Sequence, residues 1–155
     1  MKLHLGCIGF LALLCCFWGG CTEKAKQDTV IVNPEKEFIE ALTQKDTADF
    51  IGLTKQCMDT IQGGNIDAAL NLIYCIQNDT LMPLTPEMKV GLKNHFKRFP
   101  VKDYELISFE INGYYTNSVK YNIRFKEETE VPNSIKFTFN PIWLGDAWYL
   151  TLKNN

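Results

Sequence analysis

Histidine is almost missing from this chain, with His4 and His95 the only two in 155 residues. That scarcity, with six scattered cysteines, leaves no ligand spacing for a structural or catalytic zinc site. Basic blocks are missing too. Lys and Arg number 16 against 18 Asp and Glu, for a net charge of −2, so no electrostatic footprint for nucleic acid exists and no nucleic-acid partner is expected. There is no Gly-x-Ser-x-Gly, no phosphate-cradling glycine loop and no dinucleotide fingerprint. These absences argue against a metal, a nucleotide or a hydrolytic triad, and no cofactor is expected.

The features that are present begin at the N-terminus. Lys2 precedes an apolar run from Gly6 to Trp18 that carries no charge. The run is shorter than the roughly 20 residues a membrane-spanning helix needs, and it fits the apolar region of a signal peptide. Gly19, Gly20 and Cys21 come directly after it. This stretch resembles the lipobox of bacterial lipoproteins, although Trp18 stands where that motif usually has an aliphatic residue. The resemblance implies cleavage before Cys21, lipid on its sulfur, and attachment to a membrane, most simply the outer membrane, within the cell envelope. An ordinary cleaved signal or an uncut anchor is the alternative. The expected divisions are 1–20 as signal peptide, 21–33 as lipidated Cys21 with a polar tether, and 34–155 as one domain. Without Lys2, 15 basic residues remain against 18 acidic.

The first half of that domain has helical periodicity. Asn33-Pro34 suits a helix start. Asp46 and Thr47 offer caps for a second helix whose apolar face is Phe50, Leu53, Thr54, Cys57, Met58 and Ile61. Gly63-Gly64 ends it. Asn65 opens a third, expected from Ile66 to about Gln77. Thr85-Pro86 opens a fourth, with Met88, Leu92, His95, Phe96 and Phe99 along one side, and Pro100 stops it.

After Pro100 the period becomes two. Strands are expected over 104–115, 118–127, 134–140 and 147–153. Ile107, Phe109, Ile111, Val119, Tyr121, Ile123, Phe125, Ile135, Phe137 and Phe139 belong to one face, and Lys and Asn residues alternate with them. Helices and then a meander give an α+β fold: N-terminal helices on one face of a four-stranded antiparallel curved sheet. This element order, with Phe99-Pro100-Val101 leading in and Trp148 to Leu152 closing, resembles the nuclear-transport-factor-2-like, cystatin-like cone. The resemblance implies a fold and leaves activity open.

Candidate chemistry is sparse. His95 is the one histidine left after cleavage and the best general base, although its place on an apolar stripe equally suits packing. Asp103, Glu105 and Glu110 suit a wet sheet face better than a catalytic pair. Cys57 and Cys75 are even in number in an exported chain, yet sit unequally far from the Gly63-Gly64 turn, so two free buried thiols are expected rather than a disulfide. Asp-Thr-apolar triplets at Asp28, Asp46, Asp59 and Asp79 resemble acceptors for bacterial O-glycosylation. The polar sheet face, with Tyr114, Asn122, Arg124 and Tyr149, is a candidate surface for a small molecule or glycan, or for a homodimer through the sheet. The sequence therefore leads to a membrane-anchored, non-enzymatic binding or assembly module; a small cone enzyme of isomerase or dehydratase type is the alternative.

Overall fold

Each helix begins at a side chain that satisfies its free N–H groups. In the computed structural model, which describes residues 33–126 and 133–153, α1 (Pro34–Ala41) is capped by Asn33, whose Oδ1 accepts from Glu35 N. Helix α2 (Gln44–Gln62) starts earlier than Asp46-Thr47 suggests. Thr43 is its cap, and Asp46 accepts from the Thr43 backbone in a reciprocal box. That pairing satisfies two orphan N–H groups, and losing such a cap typically costs about 1 kcal/mol. Gly64, at φ +82°, turns the chain out of α2. Asn65 caps α3 (Ile66–Asn71) and Thr85 caps α4 (Pro86–Arg98).

The third helix ends at Asn71, well short of the expected Gln77. Ile73–Gln77 is instead a strand, β1, joined to β2 (Thr80–Pro83) by Asn78 and Asp79, both at positive φ. Two residues that tolerate the left-handed region make a tight hairpin, and the β-prone Ile-Tyr-Cys-Ile run leads into it. The remaining strands are β3 (Val101–Glu110), β4 (Ser118–Phe125), β5 (Ser134–Phe139), β6 (Ile142–Leu144) and β7 (Ala147–Thr151).

The fold is α+β, but the single four-stranded antiparallel sheet is corrected. One sheet runs β3-β4-β5, all antiparallel. The other runs β2-β1-β7-β6, and β1 pairs with β7 in parallel, so the second sheet is mixed. A single bridge, Phe139 to Leu152, links the two. The extra strands come from the hairpin read as helix and from β6, which is too short to show a period.

The core forms where α2 and α3 face the β4 side of the first sheet. Phe50, Met58, Ala69, Leu70, Val119, Tyr121, Ile123, Phe139 and Leu150 are all at most 1% exposed. Alternation on β4 holds as expected, with Val119, Tyr121, Ile123 and Phe125 all buried. It fails on β3, where Ile107 and Phe109 are 49% and 42% exposed. A bulge between Leu106 and Ser108 breaks the period there. On β7 both Leu150 and Thr151 are buried, because Thr151 Oγ1 bonds to Asn140 O. On α4 only Phe96 is buried; Met88 and Phe99 are each 38% exposed. Among the described residues no helix is long and apolar enough to cross a membrane. Cys21 and tether residues 22–32 lie outside them.

Candidate functional site

The two sheets part at one end of the molecule, and the space between them is a cleft of about 530 Å³. That is within the usual range for small-ligand sites, roughly 300–1,000 Å³. Five pieces of chain build it. Most of β1, Tyr74 to Gln77, lines one side, the end of β7 contributes Thr151 to Lys153, and α4 contributes Met88. The turn between β3 and β4 contributes Asn112 and Tyr115 to Ser118, and Asn140 closes the wall after β5.

The β3–β4 turn is held by Asn117, which is 3% exposed. Its Oδ1 accepts from Asn112 N at 2.8 Å and Gly113 N at 3.3 Å, and its Nδ2 donates to Pro141 O at 2.8 Å. Its own N–H donates to Asn140 Oδ1 at 2.9 Å. One buried amide thus ties the turn to the β5–β6 corner, and Gly113 permits the path: at φ +152°, a Cβ there would lie 2.9 Å from the Glu35 carboxylate. Ser118, at 4% exposure, is different. Its hydroxyl is buried without any hydrogen-bond partner, a state that typically costs about 1–3 kcal/mol.

The chemistry of the wall is mostly uncharged. Amides, hydroxyls and two tyrosines dominate, with Ile76, Met88 and Leu152 supplying apolar surface. Glu110 and Lys153 are its charged residues, and both are exposed. Glu110 lies 4.0 Å from Lys120. Cys75 is half-buried in the wall, and its Sγ donates to Pro83 O at 3.5 Å.

The residues singled out from sequence do not assemble into one site. Asn122 and Arg124 share the outer face of β4, where Arg124 makes a two-pronged ion pair with Asp103, at 2.6 and 2.7 Å. Tyr114 sits in the β3–β4 turn, stacked on Phe38 at 4.3 Å. Tyr149 packs edge-on against Tyr74 at 5.5 Å, behind the cleft. His95 is exposed on α4 beside the rings of Phe96 and Phe99, and no hydrogen bond orients it among the described residues.

Cys57 and Cys75 are both free. Cys57 is fully buried, and burial pushes its thiol up to about 12. Cys75 lies on a strand rather than a helix and is only half-buried. The Asp-Thr triplets differ: Thr60 lies within α2 and bonds to Gln56 O, whereas Thr80 is exposed at the β1–β2 turn. Among the described residues no cluster of His, Cys, Asp and Glu could hold a metal ion.

The cleft-lining residues of β1 escape a reading of the sequence because their apolar spacing also fits a helix. Asn78-Asp79 is the one local signal against that helix. The wall at Thr116 to Ser118 carries none, since its role depends on contacts with Asn140 and Pro141 far along the chain.

No protein-family model and no curated protein match the chain. Two solved structures are similar in part. One, from Campylobacter jejuni, carries the provisional name NTF2-like transpeptidase; it is 16% identical, covers 66% of this chain and 96% of its own, and gives a TM-score of 0.42. The other is an NTF-2 like protein of unknown function from Shewanella oneidensis MR-1, at 16% identity, 67% and 93% coverage and a TM-score of 0.41. Likeness of that degree says nothing about the chemistry of the cleft.

Proposed function

We propose that the chain is an exported lipoprotein, anchored to a bacterial membrane through lipid on Cys21, whose cone-like α+β domain is a non-enzymatic binding or assembly module of the cell envelope. Its ligand site is the cleft between the sheets. The observation that carries the reading is the division of labour inside the domain. The space under the first sheet, where a cone enzyme would hold its substrate, is filled by Phe50, Met58, Tyr121 and Phe139, each at most 1% exposed. The cleft lies elsewhere, and its two charged residues, Glu110 and Lys153, are exposed. A general acid or base needs a tuned environment and an orienting partner. Neither charged wall residue nor His95 has a buried setting of that kind. Amides, hydroxyls and aromatic rings suit recognition without reaction.

Two experiments test this. Fatty-acid labelling should be present in the wild type and lost in Cys21→Ser; persistent labelling rejects the anchor. For the cleft, chromosomal alleles are compared with a full deletion, under any condition where the deletion has a phenotype. Thr116→Trp, which fills the cleft from an exposed position, should reproduce the deletion at unchanged protein level and melting temperature. His95→Gln should match the wild type. The reverse pattern would replace the binding module with the small cone enzyme.

A further inference from the structure

The β1–β2 hairpin fixes the direction of every backbone group on β1. Asn78 and Asp79 have φ of 48° and 58°, the signature of a two-residue type I′ turn. Gln77 and Thr80 are then the hydrogen-bonded pair that closes the turn, and antiparallel alternation makes Ile76 and Leu81 a non-bonded pair. The N–H and C=O of Ile76 therefore point away from β2. Tyr74, two residues earlier, points the same way and is met there by β7, in register with Thr151. Pro83 agrees with this alternation: it sits opposite Tyr74 at a non-bonded position, where it needs no N–H.

Past Thr151 the neighbouring strand leaves. Leu152 turns aside to bridge Phe139, and the parallel register ends at Tyr74. Beside Cys75, Ile76 and Gln77 there is then a strand's width of space with no strand in it among the described residues. That lane lies along the cleft, whose wall includes all three residues. One backbone donor and one backbone acceptor of Ile76 face it. The partnerless hydroxyl of Ser118 belongs to the same wall.

We propose that the cleft takes an extended peptide, added as a strand beside β1 in the lane that β7 vacates. The proposal rests on the binding reading above and names its ligand. A peptide backbone presents N–H and C=O at the strand repeat, and so meets both groups of Ile76 at once while continuing the existing sheet. Alternate side chains fall against Tyr115, Met88 and Leu152, which favours apolar or aromatic residues at every second position. A saccharide can match single hydroxyls and amides of the wall, but it has no backbone repeat to set against an open strand edge.

The test uses the full chain in a detergent without a sugar headgroup. The probe is an acetylated, amidated heptapeptide of alternating valine and threonine, with maltotriose as the saccharide comparison. The peptide should shift the amide resonances of Ile76 and Ser118. N-methylation of the peptide at every second position should weaken binding by about tenfold or more, and by less than about twofold at the positions between. Ile76→Pro removes only the cleft-facing N–H and should abolish binding; if that variant does not fold, the N-methyl scan decides alone. A flat N-methyl profile, or unshifted Ile76, overturns the proposal. Cleft shifts caused by maltotriose in place of the peptide also overturn it, while leaving the binding reading standing. If neither probe moves the cleft but Thr116→Trp still behaves as the deletion, the peptide falls and the binding module survives.

Discussion

The interior under β3-β4-β5 and the cleft between the two sheets both draw on β4, yet they have opposite character. The interior is closed by side chains of high sequence separation, such as Thr54 Oγ1 and Tyr121 OH, 2.8 Å apart and both buried. Every polar atom of that pair is used, since Thr54 Oγ1 also bonds to Ile51 O. The cleft wall holds a buried Ser118 hydroxyl without a partner and an exposed Tyr115. Close packing commits its bonding capacity to stability. A seam where two sheets diverge leaves some of it unused, and that is where a ligand gains most. On the proposed reading, a domain with a filled centre binds at its seam.

Variants sharpen this contrast in order of effect. Phe139→Ala opens a cavity beside Tyr121 and Phe137, whose rings lie 6.1 and 4.9 Å away. Urea unfolding should show a loss of about 3–5 kcal/mol; a loss under about 1 kcal/mol would mean the interior is loosely filled. Alkaline pH comes next. Burial raises the Cys57 thiol from 9.0 to about 12, so the folded state holds this proton more tightly than the unfolded state. The stabilisation is complete below pH 9, and is lost as pH rises from there toward 12. At pH 10 a loss on the order of 1 kcal/mol is expected by this route alone. Burial also raises Tyr121, and burial together with Asp59 raises Tyr104, both in the same direction. Comparing urea midpoints of wild type and Cys57→Ala across this window isolates the thiol; identical slopes would remove it from the account.

Tyr121→Phe should cost about 1 kcal/mol, because Thr54 keeps its bond to Ile51 and no orphan is created. Lys136→Ala, on the outer face of β5, should cost under about 0.5 kcal/mol. Comparable losses at Lys136 and Phe139 would put the register of β5 in error.

The elements that can be read from sequence are those governed by local chemistry. Asn33, Asn65 and Thr85 cap helices because their side chains reach N–H groups two or three residues ahead. The period of β4 holds because it is the central strand of its sheet, paired on both sides. Elsewhere nonlocal contacts override local signals. Ile73 to Gln77 has an apolar pattern that fits either period, and pairing with β2 and with Leu150 and Thr151 makes it a strand. The bulge in β3 exposes Ile107 and Phe109 against their hydrophobicity. Ile66–Asn71 is short because the hairpin takes up the residues beyond Leu72. The site is the least legible part, since its wall joins five segments and depends on where β7 turns away. Tyr114, Asn122, Arg124 and Tyr149 stand out in the sequence as polar and aromatic residues of one expected face, and that face does not exist as a unit.

The two free thiols among the described residues report on the two regions without any mutation. Cys57 lies in the closed interior, fully buried, and Cys75 lines the cleft, half-buried. Timed alkylation of the folded, unreduced protein, with peptide mass spectrometry as the readout, measures access to each. The account predicts that Cys75 is modified promptly and Cys57 only at the rate of global unfolding, with both modified once denatured. Equal rates at the two sites, a protected Cys75, or a mass two hydrogens lighter that resists alkylation would contradict it.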